Sequence, residues 1–261
     1  MKAALVGSPV IHSLSPAIWQ AGYESLGLKK WTYDLIDTDE AGLAHHLRVG
    51  GYAGFSVTMP LKRVAARLVD RRVGRTAGAV NTVVFTDDGT DGYNTDVDGV
   101  AAGLRLVRPD GVGKVVILGA GGTAAAALLA AQSLHPSSIM LVARTAPAAH
   151  ELIERTGHIA HFAPWTLARE EVDSADVVVN TTPKHAADEL AAGWPGKPLV
   201  EVVYDPWPTA IARAAEAGGH PVANGLYVLA HQAVRQIELI TGKRPDPGVL
   251  LAAVEKARAA R

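Results

Sequence analysis

The feature that most restricts the fold of this chain is a short apolar run followed by a glycine turn and an alanine-rich segment, at residues 114–130. The four apolar residues from Val115 to Leu118 predict a strand that is buried on both faces, as in a parallel sheet. After the turn, residues 124–134 predict a helix, because alanine is the strongest helix former. A strand, a Gly-x-Gly-x-x-Ala turn and a helix in this order form the dinucleotide-binding fingerprint.

The small residues of this turn each have a physical role in nucleotide binding. Gly119 permits the tight turn, Gly121 lets a pyrophosphate approach the backbone, and Ala124 lets the helix and the strand pack closely. The free amide hydrogens at the start of the helix can then meet the phosphate charge. We therefore predict a bound dinucleotide at this turn.

A single arginine indicates which dinucleotide it is. Arg144 comes 25 residues after Gly119, at the end of the next predicted strand, where an NAD-binding protein places an acidic residue on the ribose hydroxyls. A guanidinium instead matches a 2′-phosphate, and this favours NADP. The alternative is a solvated arginine at a strand end.

Composition limits the class of protein. The 261 residues suffice for one large domain or two ordinary ones, and 48% hydrophobic with 20% charged residues is a normal globular balance. A net charge of -1 gives no electrostatic reason to expect nucleic acid or an anionic membrane as a partner, and the basic pairs at 62–63 and 71–72 are expected to be solvated.

Three absences in the sequence limit the class of protein further. The chain has no cysteine, so disulfides and thiol catalysis are excluded. Its first residues lack the apolar length of a signal peptide, and no run is long enough to span a membrane. We expect a soluble cytoplasmic protein.

Predicted strands and helices alternate along the chain. Strands are predicted at 3–6, 31–36, 52–57, 138–142, 175–179 and 199–203, with a hairpin of 80–85 and 90–93 around Asp87-Asp88-Gly89. Helices are predicted at 15–26 with Ser15 as cap, at 39–49 with Asp39 as cap, from Pro60 to 69, and at 97–108, 148–156, 209–217, 225–241 and 247–258. Residues 109–113 are the best linker candidate. This alternation predicts a parallel-sheet α/β architecture in two lobes.

Four polar stretches could carry chemistry. Ser13 and Ser15 lie beside a predicted helix start, where hydroxyls and free amides could hold a carboxylate or simply cap the helix. Lys62 falls in the first turn of a predicted helix, where the macrodipole disfavours a cation; it is either catalytic or extended to solvent. The polar residues of 78–82 and 92–96 flank the hairpin arms, and turn chemistry alone could explain them.

Taken together, these stretches resemble the shikimate dehydrogenase family, in the order in which that family has them. The matching stretches are Gly7-Ser-Pro9, His12-Ser-Leu-Ser-Pro16, Val57-Thr-Met-Pro-Leu-Lys62, Gly78-Ala-Val-Asn-Thr82, Asn94-Thr-Asp96, Gly119-Ala-Gly-Gly122, Tyr204-Asp-Pro-Trp-Pro-Thr209, Asn224-Gly-Leu226 and His231-Gln232. The resemblance implies an α/β fold with an N-terminal α/β substrate-binding domain, residues 1–100 with returning helices at 226–261. It also implies a Rossmann-type doubly wound NADP-binding domain at 101–225.

The resemblance further implies an oxidoreductase that reversibly reduces 3-dehydroshikimate to shikimate with NADPH, in aromatic amino acid biosynthesis. By family likeness the catalytic residues would be Lys62 and Asp96; the substrate ligands Ser13, Ser15, Thr58, Asn81, Tyr204 and Gln232; and the cofactor ligands Gly119, Gly121, Gly122, Thr123, Ala124, Arg144, Thr145 and Gly225, with no metal. The residue types suit the chemistry, because hydride transfer to a ketone leaves negative charge on oxygen that a nearby cation must stabilise. Lys62 can supply charge and a proton and Asp96 can orient it, and either could transfer the proton.

Some positions depart from the family pattern. Ser56 stands where asparagine is usual, Glu201 occupies a frequent aspartate position, and Ala143 and Ala148 replace an asparagine and a second basic residue beside Arg144. Two alternatives follow: a quinate/shikimate dehydrogenase that prefers NAD, and a non-catalytic NADP-binding sensor on the same fold. A methyltransferase-type glycine loop would leave the N-terminal stretches unexplained. The expected partners are small molecules, with neither nucleic acid nor membrane, and the expected assembly is a monomer or a homodimer.

Overall fold

The computed structural model describes residues 1–261, which divide into two compact units. Unit 1 comprises Met1–Thr95 and Ala230–Arg261, and unit 2 comprises Asp96–Leu229. The sequence predicts the corresponding boundaries after residue 100 and before residue 226. The ligand that each unit binds remains a prediction.

Strands and helices alternate through both units. The strands are β1 Lys2–Gly7, β2 Thr32–Asp37, β3 Gly54–Val57, β4 Arg71–Arg72, β5 Thr82–Thr86, β6 Gly89–Tyr93, β7 Lys114–Leu118, β8 Ser138–Ala143, β9 His161–Pro164, β10 Val177–Asn180, β11 Leu199–Glu201 and β12 Val222–Ala223. The helices are α1 Ser15–Ser25, α2 Glu40–Val49, α3 Lys62–Leu68, α4 Asp96–Val107, α5 Gly122–Gln132, α6 Ala146–Arg155, α7 Ala168–Asp173, α8 Ala210–Ala217, α9 Gly225–Thr241 and α10 Pro247–Ala259.

Unit 1 is built on a six-stranded sheet in the order β2-β1-β3-β5-β6-β4. The predicted hairpin is confirmed: β5 and β6 are antiparallel, and Thr86 pairs with Gly89 across a two-residue loop. Because β5 also runs antiparallel to β3, the sheet of unit 1 is mixed. Side chains of α2 and α3 pack on one face with Leu43, Phe55 and Val64 in the core.

Unit 2 is built on a six-stranded parallel sheet in the order β12-β11-β10-β7-β8-β9. Numbered from β7 as the first strand, this is the order 3-2-1-4-5-6 of the doubly wound dinucleotide-binding fold. The central strand β7 is buried over Val115–Leu118, as the apolar run predicts. In α5 the residues from Ala124 to Ala131 are all buried, so this helix is enclosed on every side. The predicted α/β class with a Rossmann-type unit is confirmed.

Local signals at helix ends are confirmed in one place and wrong in two. Asp39 caps α2 by accepting a hydrogen bond from the Gly42 amide at 2.9 Å. Ser15 is not a cap, because it is already the first residue of α1 and the preceding residue has helical dihedrals. The helix predicted from Pro60 begins instead at Lys62, because Pro60 belongs to a turn that precedes it.

The prediction missed β4, β9 and α7, none of which contains an apolar run long enough to indicate it. The basic pair at 71–72 forms the two-residue β4, and both residues are exposed, as expected. Arg71 makes a bidentate ion pair with Asp91 on β6, at 2.8 and 2.7 Å. None of the ten helices has the length and apolar character that crossing a bilayer requires.

Candidate active site

Most of the substrate ligands predicted in unit 1 lie just before or just after strands that begin or end at one edge of its sheet. β1, β3 and β6 run in the same direction, so their carboxyl ends share that edge, and β5 runs the opposite way and begins there. Ser13 therefore follows the end of β1, Thr58 follows β3, Asn81 precedes β5 and Thr95 follows β6. In open α/β sheets, ligands bind outside the carboxyl ends of the strands.

The loops that follow β1 and β3 are in direct contact. The Thr58 amide donates to the Val6 carbonyl at 2.9 Å, and the Ser8 amide donates to the Met59 carbonyl at 3.1 Å. Gly7 has a φ of +156°, and a Cβ there would overlap the Thr58 methyl group. Only glycine fits at the end of β1, and its absence of a side chain brings the two loops together.

The two predicted carboxylate ligands occupy the first of these loops. The Ser13 hydroxyl accepts a hydrogen bond from the Ser15 amide at 3.1 Å, a local turn that fixes the approach to α1. Two hydroxyls therefore stand at the start of an eleven-residue helix that has no side-chain cap. This arrangement is compatible with the predicted binding of a carboxylate.

Lys62 is the first residue of α3, half-buried and held next to Asn81 by the backbone. Its carbonyl accepts a hydrogen bond from the Val80 amide at 2.9 Å. A cation at a helix N-terminus costs roughly 0.3–1 kcal/mol because it faces the positive end of the helix dipole. The first turn of α3 contains no acidic residue that could offset this cost. A cation kept at an unfavourable position beside polar groups is consistent with the predicted catalytic role.

A buried amide cluster connects Asn81 with Gln232 on α9. The Thr95 amide donates to Asn81 Oδ1 at 2.7 Å, which identifies that atom as the acceptor. Asn81 Nδ2 then donates to Thr95 Oγ1 at 3.0 Å and to Gln232 Oε1 at 3.4 Å. The structure thus brings two predicted substrate ligands together and adds Thr95 between them. Asp96 follows Thr95 directly in the chain, so its backbone starts from this cluster.

The glycine turn of unit 2 has the features expected of a pyrophosphate site. Gly119 has a φ of +105°, so the turn requires glycine there. A Cβ at Gly121 or at Gly122 would meet no atom within 4 Å. The first turn of α5, which includes Thr123, therefore faces open space. α5 has no side-chain cap, and Ala124 is fully buried against the unit. These residues fit a dinucleotide phosphate.

The predicted 2′-phosphate ligands lie at the end of the neighbouring strand. Arg144 directly follows β8 and is exposed, and the structure records no ion pair for it. Thr145 is the N-cap residue of α6, and its side chain makes no capping hydrogen bond. An exposed guanidinium beside an uncapped helix start suits a phosphate.

Glu201 organises the segment that carries Tyr204. This carboxylate is fully buried and accepts from Asn180 Nδ2 at 2.8 Å, from the Val203 amide at 3.0 Å and from Thr209 Oγ1 at 2.9 Å. Burial raises the pKa of the Glu201 carboxyl, and the three hydrogen bonds oppose that shift. The bond to Val203 fixes the backbone immediately before Tyr204.

Gly225, the first residue of α9, lies against the same segment. A Cβ at this position would overlap the Val202 carbonyl, so the start of α9 requires glycine. The predicted residues Tyr204 and Gly225 therefore belong to one packed region of unit 2.

Four residues that shape these sites received no role from the sequence: Thr82, Thr95, Gln236 and Glu201. Gln236 lies one helical turn after Gln232, and that spacing on a predicted helix could have indicated it. Glu201 precedes Tyr204 by three positions and places a carboxylate within a predicted buried strand, which is a signal for a hydrogen-bonded carboxylate.

The doubly wound sheet and the glycine turn define unit 2 as a Rossmann-type dinucleotide-binding unit. A profile of the shikimate dehydrogenase substrate binding domain matches residues 5–83. A shikimate dehydrogenase (NADP(+)) of Geobacter metallireducens is 34% identical, over 94% of this chain and 93% of the relative. The crystal structure of Mycobacterium tuberculosis shikimate dehydrogenase is 36% identical with a TM-score of 0.89, covering 98% of this chain and 99% of that one.

A second solved structure, shikimate 5-dehydrogenase from Thermus thermophilus in complex with NADP(H) and shikimate, is 31% identical. Its TM-score is 0.85, and the match covers 98% of this chain and 99% of the Thermus chain. The chain belongs to the shikimate dehydrogenase family, as its motifs predicted.

Proposed function

We propose that this protein is an NADP-dependent shikimate dehydrogenase that reversibly reduces 3-dehydroshikimate to shikimate, within aromatic amino acid biosynthesis. The observation that carries the proposal is the shared sheet edge of unit 1. In a chain of this family, the segments at that edge carry the hydroxyls of Ser13 and Ser15 and the amide of Asn81. Lys62 begins the helix that follows β3, and Gln232 on α9 accepts a hydrogen bond from Asn81. These are the groups that a carboxylate, ring hydroxyls and a reacting oxygen require.

The substrate would be held by hydrogen bonds at that edge. Ser13 and Ser15 would bind the carboxylate, and Thr58, Asn81 and Gln232 would bind the ring hydroxyls. The buried amide cluster supports this assignment, because hydrogen bonds within the protein already fix the orientation of Asn81. Such preorganisation lowers the entropy cost of binding.

Lys62 and Asp96 would handle the proton at the reacting oxygen. During reduction, Lys62 would stabilise the negative charge that develops on that oxygen and could deliver the proton to it. Both residues are attached to the Asn81 cluster, Lys62 through the Val80 amide and Asp96 through the peptide bond to Thr95.

The cofactor would be NADP, which when bound accepts or supplies the hydride. Gly119, Gly121, Gly122, Thr123 and Ala124 would hold its pyrophosphate. Arg144 and Thr145 would hold the 2′-phosphate, and Tyr204 and Gly225 would lie where the nicotinamide meets the substrate. The exposed Arg144, with no acidic residue in its place, supports NADP over NAD.

A steady-state assay tests the proposal. We expect the purified protein to oxidise shikimate with NADP⁺, followed by the absorbance of the reduced nicotinamide, at a kcat/KM at least tenfold above that with NAD⁺ or with quinate. Faster turnover of quinate with NAD⁺ would support a quinate dehydrogenase. Tight binding of NADPH without turnover of either substrate would support a sensor.

We also propose a compartment and an assembly for the enzyme. We place it in the cytoplasm as a monomer or homodimer whose partners are small molecules rather than nucleic acid or membrane. Light scattering after size exclusion measures the assembly, and cell fractionation measures the compartment.

A further inference from the structure

Beyond the predicted ligands, unit 1 contains a further buried carboxamide, Gln236, for which the sequence predicts no role. Gln236 is 3% exposed and lies one turn after Gln232 on α9. We propose that Gln236 is a positioning residue for the substrate site: oriented by Ser56, it acts through Thr82 and, together with the Thr95 amide, holds the side-chain amides of Asn81 and Gln232 in one orientation. This inference rests on the proposed function, because it assigns Gln236 to the substrate subsite.

Three hydrogen bonds fix the orientation of the Gln236 carboxamide. Its Oε1 accepts from the Ser56 hydroxyl at 3.0 Å, and its Nε2 donates to the Asn81 carbonyl at 3.0 Å and to Thr82 Oγ1 at 3.1 Å. Rotating the amide by half a turn would place Oε1 against the Asn81 carbonyl, which can only accept. The orientation of Gln236 is therefore fixed.

Thr82, which is fully buried, connects Gln236 with Asn81. The Thr82 hydroxyl accepts from Gln236 and donates to Asn81 Oδ1 at 2.9 Å, the shorter of its two remaining contacts, since the Thr95 hydroxyl lies 3.3 Å away. Asn81 Oδ1 then accepts from both Thr82 and the Thr95 amide. This holds the Asn81 Nδ2 group toward Gln232 Oε1.

The hydrogen bonds of Asn81 and Thr95 orient the side-chain amide of Gln232. Its Oε1 faces Asn81 Nδ2 and the Thr95 hydroxyl, at 3.4 and 3.3 Å. The Nε2 end of the same planar amide is consequently turned away from these two residues. Donation thus runs in one direction, from Gln236 through Thr82 and Asn81 to Gln232. A network with all its members satisfied specifies orientation more strongly than any one of its bonds.

An apolar replacement tests this directionality without altering side-chain length. We expect Gln236→Met to raise the KM for shikimate about tenfold, while the KM for NADP⁺ and kcat stay within about twofold. Thr82→Val should give the same change in KM, and Thr82→Ser, which keeps the hydroxyl, should restore a KM close to that of the parent chain. The matched control is Thr241→Val on the same helix, which loses a hydroxyl bonded to the Ile237 carbonyl; it should leave both KM values unchanged.

The double variant, Gln236→Met with Thr82→Val, separates a shared path from two independent packing defects. If both residues act on Asn81 through one path, the double variant has the KM of either single variant within about twofold, whereas independent effects multiply. Thermal unfolding of every variant is measured alongside. Multiplied effects, a normal shikimate KM in Gln236→Met, or a fall in kcat that merely follows the melting temperature would overturn the inference.

Two further results keep the conclusion decidable. If Gln236→Met does not fold, the comparison of Thr82→Val with Thr82→Ser decides, because equal KM values in those two variants exclude a role for the hydroxyl. A parent chain that does not oxidise shikimate overturns both the proposed function and this inference. An active parent chain with unaltered KM values in the variants overturns only the inference.

Discussion

The buried carboxylate of Glu201 gives the sharpest prediction of stability in this chain. Replacing it by glutamine keeps the shape but exchanges one acceptor oxygen for a donor. The bonds of Asn180 fix its amide, because Asn180 Oδ1 already accepts from the hydroxyl and the amide of Thr182, at 2.7 and 3.2 Å. The new oxygen must therefore face Asn180 Nδ2, and the new amide group faces the Val203 N–H.

The magnitude follows from that contact between two donors. Leaving one backbone N–H buried without a partner costs about 1–3 kcal/mol. For a chain of this size, the melting temperature falls by roughly 2–4 °C per kcal/mol, so Glu201→Gln should lower it by about 2–12 °C. The control is Glu216→Gln on α8, which makes the same chemical change at an exposed side chain and should shift the melting temperature by less than about 1 °C.

The pH dependence of this difference has a definite sign. Burial raises the folded-state pKa of Glu201 above the ordinary value of 4.5, so between those two values the folded state binds more protons than the unfolded state. The free energy of unfolding of the parent chain consequently falls as pH rises through that window. Glutamine does not titrate, so the stability deficit of Glu201→Gln should be largest below about pH 4.5 and shrink as the pH rises.

Thermal unfolding followed by circular dichroism, on both variants and the parent chain at closely spaced pH values from mildly acidic to neutral, measures this trend. A deficit that is constant across the range would show that Glu201 has the same pKa in both states. A deficit that grows with pH would reverse the sign, and would mean that the three hydrogen bonds outweigh burial. A deficit no larger than that of Glu216→Gln would show that the variant does not leave the Val203 N–H without an acceptor.

Three predictions concern the chemistry and the cofactor. Lys62→Ala should lower kcat about 10²–10⁴-fold with little change in the shikimate KM in the steady-state assay, and near-normal turnover would exclude its catalytic role. Arg144→Ala should raise the KM for NADP⁺ about tenfold or more, as expected for lost charge-assisted hydrogen bonds, and leave the KM for NAD⁺ unchanged; equal effects on both cofactors would place the guanidinium away from the 2′-phosphate. Gly121→Val should weaken NADPH binding at least about tenfold in fluorescence titrations with a normal melting temperature, since the added side chain meets only open space, and unweakened binding would contradict the pyrophosphate site.

Much of the fold was predictable because its signals are local. The apolar run before Gly119 required a strand buried on both faces, and the structure places it at the centre of the parallel sheet. Asp39 could be identified as a cap from its neighbours alone. Ser15 could not, since whether a serine caps a helix or begins it depends on the dihedrals of the residue before it, and the Ser13 turn sets those.

In the candidate site too, some contacts follow from local sequence signals and others do not. The loop between Asp87 and Gly89 predicts a hairpin, and the observed pairing of Thr82 with Tyr93 places Asn81 opposite Asn94, beside Thr95. Counting back along the two arms from the turn is therefore enough to bring Asn81 and Thr95 together. Gln232 is 151 positions from Asn81, and nothing local to either residue fixes where the helix crosses the sheet.

That crossing is set by packing, and packing is also why the polar chain is difficult to predict. Gly54 on β3 admits the Ile240 side chain, because a Cβ there would overlap it, and Ile240 lies one turn beyond Gln236 on α9. The close approach of helix to strand at Gly54 therefore determines how far Gln236 reaches toward Ser56 and Thr82. A substitution of Gly54 by alanine should displace this part of α9 and raise the shikimate KM in the same way as Gln236→Met, although residue 54 carries no polar group at all. A hydrogen-bond path that depends on an apolar contact at another position cannot be recognised from the polar residues alone.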